Sequence, residues 1–161
     1  EALELDAGIT YLDNEPLGRV STLFLYRETY VMVCGAEHAL ARARHVSWSD
    51  VATQDLCLLT PDMQNRRIIN RAFMEAGVAP VPALEANSTV VLLAQVAEAN
   101  RVTVLPGDQA EFLAAGHPVQ IVEIAPQGPG HDVGLIAPQQ DLRTPVLDAL
   151  MRTARDVAIP R

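Results

Sequence analysis

Leu56-Cys57-Leu58-Leu59 runs into Thr60-Pro61-Asp62, and from there Ile68, Ile69, Ala72, Phe73 and Ala76 recur at helical spacing until Gly77. A short apolar run bounded by polar residues reads as a buried strand. The segment after it carries a three-part start signal: a hydroxyl at Thr60 to cap, a proline at the first helical position, and an acid in the first turn, where the helix dipole favours negative charge. The spacing predicts an amphipathic helix of about four turns. A buried strand that feeds such a helix is the repeating unit of an α/β protein.

The alternation continues outward on both sides. Upstream, Leu5 to Leu12 reads as a strand closed by the turn formers Asp13-Asn14-Glu15-Pro16-Leu17-Gly18. Leu23-Phe24-Leu25-Tyr26 and Tyr30-Val31-Met32-Val33-Cys34 read as one long bent strand or two consecutive ones. Glu37 to Arg44 is Ala-rich and charged, and predicts one or two helical turns that begin at His38. Ser47 then caps Trp48-Ser49-Asp50-Val51. Downstream, a short extended piece at Ala83-Leu84-Glu85 precedes a helix capped by Asn87-Ser88-Thr89 and carrying Val90, Leu93, Ala94, Val96 and Ala97. Val102-Thr103-Val104-Leu105 is a strand, Asp108 to Ala115 a short helix, and Val119 to Ile124 an alternating strand. After the Pro/Gly-rich loop 125–130, Val133 to Ala137 is the last strand, and Thr144-Pro145 opens a terminal helix with Val146, Leu147, Leu150, Met151, Ala154 and Val157. Strands alternating with helices predict a sheet with parallel connections.

At 161 residues the chain has room for one domain or two small interlocked lobes. Hydrophobic residues make up 49% and charged residues 20%, and no apolar run approaches the roughly 18 residues that span a bilayer. The expectation is a soluble protein with no membrane partner. A net charge of -8 argues against a phosphate-tracking surface, so any DNA contact has to come from another segment. Cys34 and Cys57 each sit inside an apolar run and read as reduced core residues, consistent with a cytoplasmic location. The N-terminal residues Glu1 to Asp6 lack the basic and apolar regions of a secretory signal.

No nucleophile elbow, phosphate loop, metal-ligand cluster or dinucleotide glycine pattern is present. The sequence therefore predicts no enzyme, no metal and no cofactor. His45 and His117 read as loop residues, and His131 as part of a turn. What remains are two polar helix starts, where free amides and the helix dipole can hold an anion. One is Thr60 followed by Gln64, Asn65, Arg66 and Arg67; the other is Asn87-Ser88-Thr89. Ordinary capping is the simpler reading of each, and Arg66 and Arg67 read as solvated charges on a helix face.

Leu5-Asp6-Ala7-Gly8-Ile9 resembles the "L-D-x-x-I" strand of LysR-type effector domains. Glu28-Thr29-Tyr30-Val31-Met32-Val33 with His38-Ala39-Leu40-Ala41 resembles their "E-x-Y-x-x-V…H-P-L-A" segment, with Ala39 in place of the proline. Val46 to Ala52 resembles their short "dLa" helix, and Val102-Thr103-Val104-Leu105-Pro106 their strand ending in "L-P". Ala99 and Arg101 stand near the position where relatives carry glycines before that strand. The order and spacing of these segments cover nearly the whole chain.

The resemblance implies an α/β, two-lobed fold of the type II periplasmic-binding-protein kind, with a small effector held between the lobes. Residues 1–27 and 125–161 would form a partial first lobe, incomplete at its start, and 28–124 the second lobe with the crossover strands. It places Thr10 and Tyr11, and the helix start Asn87, Ser88 and Thr89, among the residues expected to contact effector, beside Thr60 and Gln64 from the residue-level reading. It also implies a homo-oligomer, a dimer or tetramer, that reaches DNA only through an N-terminal helix-turn-helix outside this chain. A small carboxylate or other anion suits the polar helix starts. A solute-binding protein of a transporter is the alternative built on the same fold, and an incompletely covered first lobe predicts self-association or a mobile N-terminus.

Overall fold

The computed structural model describes residues 5–14, 16–139 and 144–158; the expectations for Glu1 to Glu4 and for Glu15 lie outside these. In chain order the elements are β1 (Gly8–Tyr11), β2 (Val20–Glu28), β3 (Tyr30–Gly35), β4 (His45–Val46), α1 (Trp48–Ala52), β5 (Cys57–Leu59) and α2 (Gln64–Glu75). There follow β6 (Leu84–Ala86), α3 (Thr89–Ala99), β7 (Val102–Pro106), α4 (Gly107–Ala114), β8 (Val119–Ile124), β9 (His131–Pro138) and α5 (Pro145–Val157). They form two compact units, one from Glu1–Glu28 with Pro129–Arg161, the other Thr29–Gly128.

The first unit is an antiparallel sheet in the order β1-β9-β2 with α5 on one face. Leu23 and Ile9 both pair with Leu135, and directly opposed residues share a face. Leu135 and Ala137 on that face pack with Leu147, Met151 and Ala154 of α5, and Leu23 and Leu25 close the cluster. The spacing of 147, 151 and 154 is one helical stripe. Thr144 caps the helix as its sequence predicts, accepting from the Leu147 amide at 3.3 Å, with Pro145 in the first turn. Gly134 sits in the central strand because a Cβ there would lie 2.6 Å from the Leu23 carbonyl oxygen.

In the second unit β3 is an inner strand, antiparallel to β7 on one edge and to β8 on the other, with β4 parallel to β8 beyond. A parallel bridge, Leu56 to Val102, carries β7 over to β5, and β5 pairs in parallel with β6. The expected parallel connections are thus found at β4–β8, β5–β6 and the Leu56–Val102 bridge, but not around β3. Alternation of strands and helices shows that helices cover a sheet, but does not set strand direction, and β3 runs against both neighbours. Val33, Cys57, Leu59, Leu92, Leu93, Val96 and Leu105 form one buried cluster beneath α3 and α4, and Trp48 of α1 meets Phe73 of α2 edge to face at 5.1 Å.

Local corrections follow the same logic. Residues 37–42 form successive hydrogen-bonded turns rather than a helix, with His38 Nδ1 accepting from the Leu40 amide at 3.1 Å. His45 belongs to β4 and His131 opens β9. Ser47 does cap α1, in a reciprocal box with Asp50, whose carboxyl this bonding holds below its ordinary pKa. Asn100 ends α3 in the left-handed region at φ 53°, a conformation asparagine tolerates better than other residues with side chains.

Gly134→Ala should destabilise the chain by about 1–3 kcal/mol, because the opposing Leu23 carbonyl is backbone and cannot swing away. An unchanged urea midpoint would show that the two strands separate freely there.

Candidate functional site

The parallel pair β5–β6 has Leu59 opposite Ala86, and the Thr60 amide extends it by one more bond, to the Ala86 carbonyl at 3.1 Å. Both strands therefore end at the same level. Beyond them, Thr60-Pro61-Asp62-Met63 makes a turn closed by Met63 N to Thr60 O at 3.0 Å before α2 begins at Gln64. The other strand passes through Asn87 and Ser88 directly into α3. Two helices of 12 and 11 residues thus start from neighbouring strand ends. In open α/β sheets, ligands bind outside the carboxyl ends of the strands.

The caps differ from those the sequence predicts. The α2 N-cap is Met63, not Thr60, so Pro61 lies in the preceding turn and the helix is shorter at its start. Ser88 is the α3 N-cap, in an extended conformation, but its side chain makes no cap bond, and neither does that of Met63. The first amides of both helices consequently have no side-chain cap. Thr60 Oγ1 is buried and has no hydrogen-bond partner. A buried hydroxyl left unsatisfied costs about 1–3 kcal/mol, so a ligand that bonds it recovers that cost.

The structure gathers Thr60, Gln64, Asn87, Ser88 and Thr89 in the second unit. Asn87 is exposed, and Thr60, Gln64, Ser88 and Thr89 are part-buried. Thr10 and Tyr11 lie on β1 of the first unit. Tyr11 is buried, donates its hydroxyl to Glu28 and meets His131 edge to face at 6.0 Å. Around it Arg27 bonds Asp132 at 2.8 Å, and an Asp13 carboxylate oxygen lies 3.5 Å from His131 Nδ1.

Sequence reasoning missed Arg66. It is only 6% exposed rather than solvated: Nη1 donates to the Leu59 carbonyl at 2.5 Å and to Glu85 at 2.6 Å, and Nε to Asn70 at 2.8 Å. The signal was its place three and seven residues before the buried Ile69 and Phe73, on the core-facing stripe. Arg67 does reach outward, to the exposed Asp62 carbonyl at 2.8 Å. Arg101 pairs with Asp55 at 3.3 Å and donates to Gln95.

Cys57 lies under α3, near the Leu92 and Val102 carbonyls, and both cysteines are free and buried. Among the described residues, no group of three or more His, Cys, Asp or Glu could hold a metal, and no helix is long and apolar enough to cross a membrane.

A family model described as LysR substrate binding domain matches residues 1–159. A search of curated protein sequences gave no match. Among solved structures, the C-terminal domain of a probable LysR family transcriptional regulator from Rhodococcus sp. RHA1 is 26% identical with a TM-score of 0.81, over 94% of this chain and 75% of that one. The effector binding domain of QuiR in complex with shikimate is 19% identical, TM-score 0.80, over 95% of this chain and 71% of that one. The Synechocystis PCC6803 CcmR regulatory domain in complex with 2-PG is 13% identical, TM-score 0.84, over 96% and 74%. The chain spans about half of the longer regulators it resembles.

Thr60→Val should leave stability unchanged or raise it slightly, since the hydroxyl it removes is unpaired; a marked drop in thermal midpoint would mean that the hydroxyl has an internal partner. A second expectation concerns pH. Burial pushes the Cys34 and Cys57 thiols up from the ordinary 9.0 to about 11. The unfolded chain then loses these protons first, so their contribution is complete below about pH 9 and is lost as pH rises towards about 11. Cys34→Ala/Cys57→Ala should flatten that alkaline limb of the denaturation profile, and an identical limb in the double variant would assign it elsewhere.

Proposed function

The chain belongs to the LysR substrate-binding domain family, the effector-sensing module of LysR-type transcriptional regulators, and from that premise we propose that it holds a small anionic effector where α2 and α3 begin. The family is one of regulator sensing domains, which sets aside the transporter alternative. The observation that carries the proposal is the pair of uncapped helix starts at adjacent strand ends, with the unpaired Thr60 hydroxyl just past the end of β5. Backbone amides and the dipole at each helix start favour negative charge there. Thr60, Gln64, Asn87, Ser88 and Thr89 supply the polar contacts.

QuiR and CcmR were solved with shikimate and with 2-PG, and a small carboxylate or phosphorylated acid fits the same chemistry here. The module senses rather than catalyses. It works in the cytoplasm as a homodimer or homotetramer, whose DNA contacts come from a segment outside this acidic chain. Effector binding shifts the population of regulator states by its differential affinity for them.

Titration calorimetry with shikimate, 2-phosphoglycolate and other small organic acids tests this. At least one acid should bind, and Ser88→Ala and Thr60→Val should each weaken it roughly tenfold, the worth of a hydrogen bond to a charged group, with thermal stability kept. Wild-type affinity in both variants would move the effector away from these helix starts.

A further inference from the structure

We infer that Arg66 is a positioning residue for this anion site, fixing both helix starts through one guanidinium without touching the ligand. The inference rests on the site proposed above. Arg66 stands in the first turn of α2 and reaches back to the strands. Its Nη1 bonds the carbonyl of Leu59, the residue immediately before Thr60, and also Glu85, two residues before Asn87. Its Nε bonds Asn70 one turn along the same helix.

The two strands that deliver Thr60 and Asn87, and the helix that presents Gln64, are thus tied at one point. A planar fork can hold acceptors on separate strands at once, whereas a lysine ammonium is a compact point charge on a flexible stem. A buried cation is tolerated only when paired and hydrogen-bonded, and Arg66 donates to protein acceptors on Leu59, Glu85 and Asn70. Its charge is therefore engaged by Glu85 at 2.6 Å and does not face the anion as a free counter-ion. The role is geometric: small displacements of either strand end would spread the amides that must converge on one ligand.

A purely structural cross-link would lower stability when cut but leave the folded protein's affinity alone. A positioning residue makes a sharper pair of expectations. Arg66→Lys keeps the charge but loses the fork, so affinity falls roughly tenfold or more. Glu85→Gln keeps an acceptor for Arg66 while removing the opposing charge, so affinity for an anion holds or rises even though stability drops.

Backbone amide shifts of residues 64–68 and 89–92, followed by NMR on the 161-residue chain during titration with shikimate and with inorganic phosphate, read this directly. Phe73→Leu, a core change farther along α2, serves as a control of comparable thermal loss. Weakened binding in Arg66→Lys, with binding kept in Glu85→Gln and Phe73→Leu, is the expected result. Equal loss in all three, or no loss in Arg66→Lys, overturns the positioning role while leaving the site intact. If Arg66→Lys does not fold, Asn70→Ala, which removes the acceptor of Nε alone, decides: binding weaker than in Phe73→Leu supports the role and wild-type binding overturns it. Wild-type amides that fail to move with either anion sink the site itself, and the role of Arg66 with it.

Discussion

The second unit hangs on the burial of β3. Met32, Val33 and Cys34 are entirely removed from solvent, with β7 hydrogen-bonded on one edge and β8 on the other. At about 25 cal/mol per Å2 of apolar surface, such residues are the largest favourable contribution a short strand can make. From β3 the order is transmitted sideways. β7 meets β5 through the Leu56–Val102 bridge, and β5 carries β6 in parallel. The site therefore lies at the outer end of a sheet whose register is set at its centre, where a one-residue slip would turn the apolar face outward. The ends of β5 and β6 are level because Leu59 pairs directly with Ala86.

Hydrophobic period made the elements legible. Leu56 to Leu59, the stripe Ile68, Ile69, Phe73 and the stripe Leu147, Met151, Ala154 are all buried, because side-chain spacing is a local property that the sequence displays directly. Strand direction was not legible, since helices can cover parallel and antiparallel neighbours alike, and which strands pair depends on contacts far apart in sequence. The burial of Arg66 was hidden for a related reason. Its charge suggested solvent, and only its position on the stripe of Ile69 and Phe73 argued otherwise; the partners that make burial tolerable, Leu59 and Glu85, come from other elements.

Cap chemistry shows how far residue type can inform. Ser47 and Thr144 both cap the helices they precede, and from sequence Thr60 and Ser88 have the same signature. Yet neither hydroxyl caps its helix: Thr60 is separated from α2 by a closed turn, and Ser88, though it stands at the N-cap of α3, makes no side-chain cap bond. The two used caps precede α1 and α5. The two unused ones stand together at the ends of β5 and β6. A capping hydroxyl satisfies the amides it bonds; an idle one leaves them available, so the departure from local expectation falls where a ligand site was anticipated, as conflicts between local preference and structure commonly do.

Charge sharpens the same point. All 12 basic residues of the chain are arginines, set against 20 acidic residues, and Arg27, Arg66 and Arg101 are engaged by Asp132, Glu85 and Asp55. An acidic chain repels anions at long range, an effect that salt screens beyond about 8 Å. Binding one must then depend on short-range donors. Helix-start amides serve this purpose because they are directional, carry no formal charge and need no proton, so they function without lowering the acidity of the surface around them. With its guanidinium engaged by protein acceptors, Arg66 in the proposed site would hold those donors in place rather than add a counter-charge.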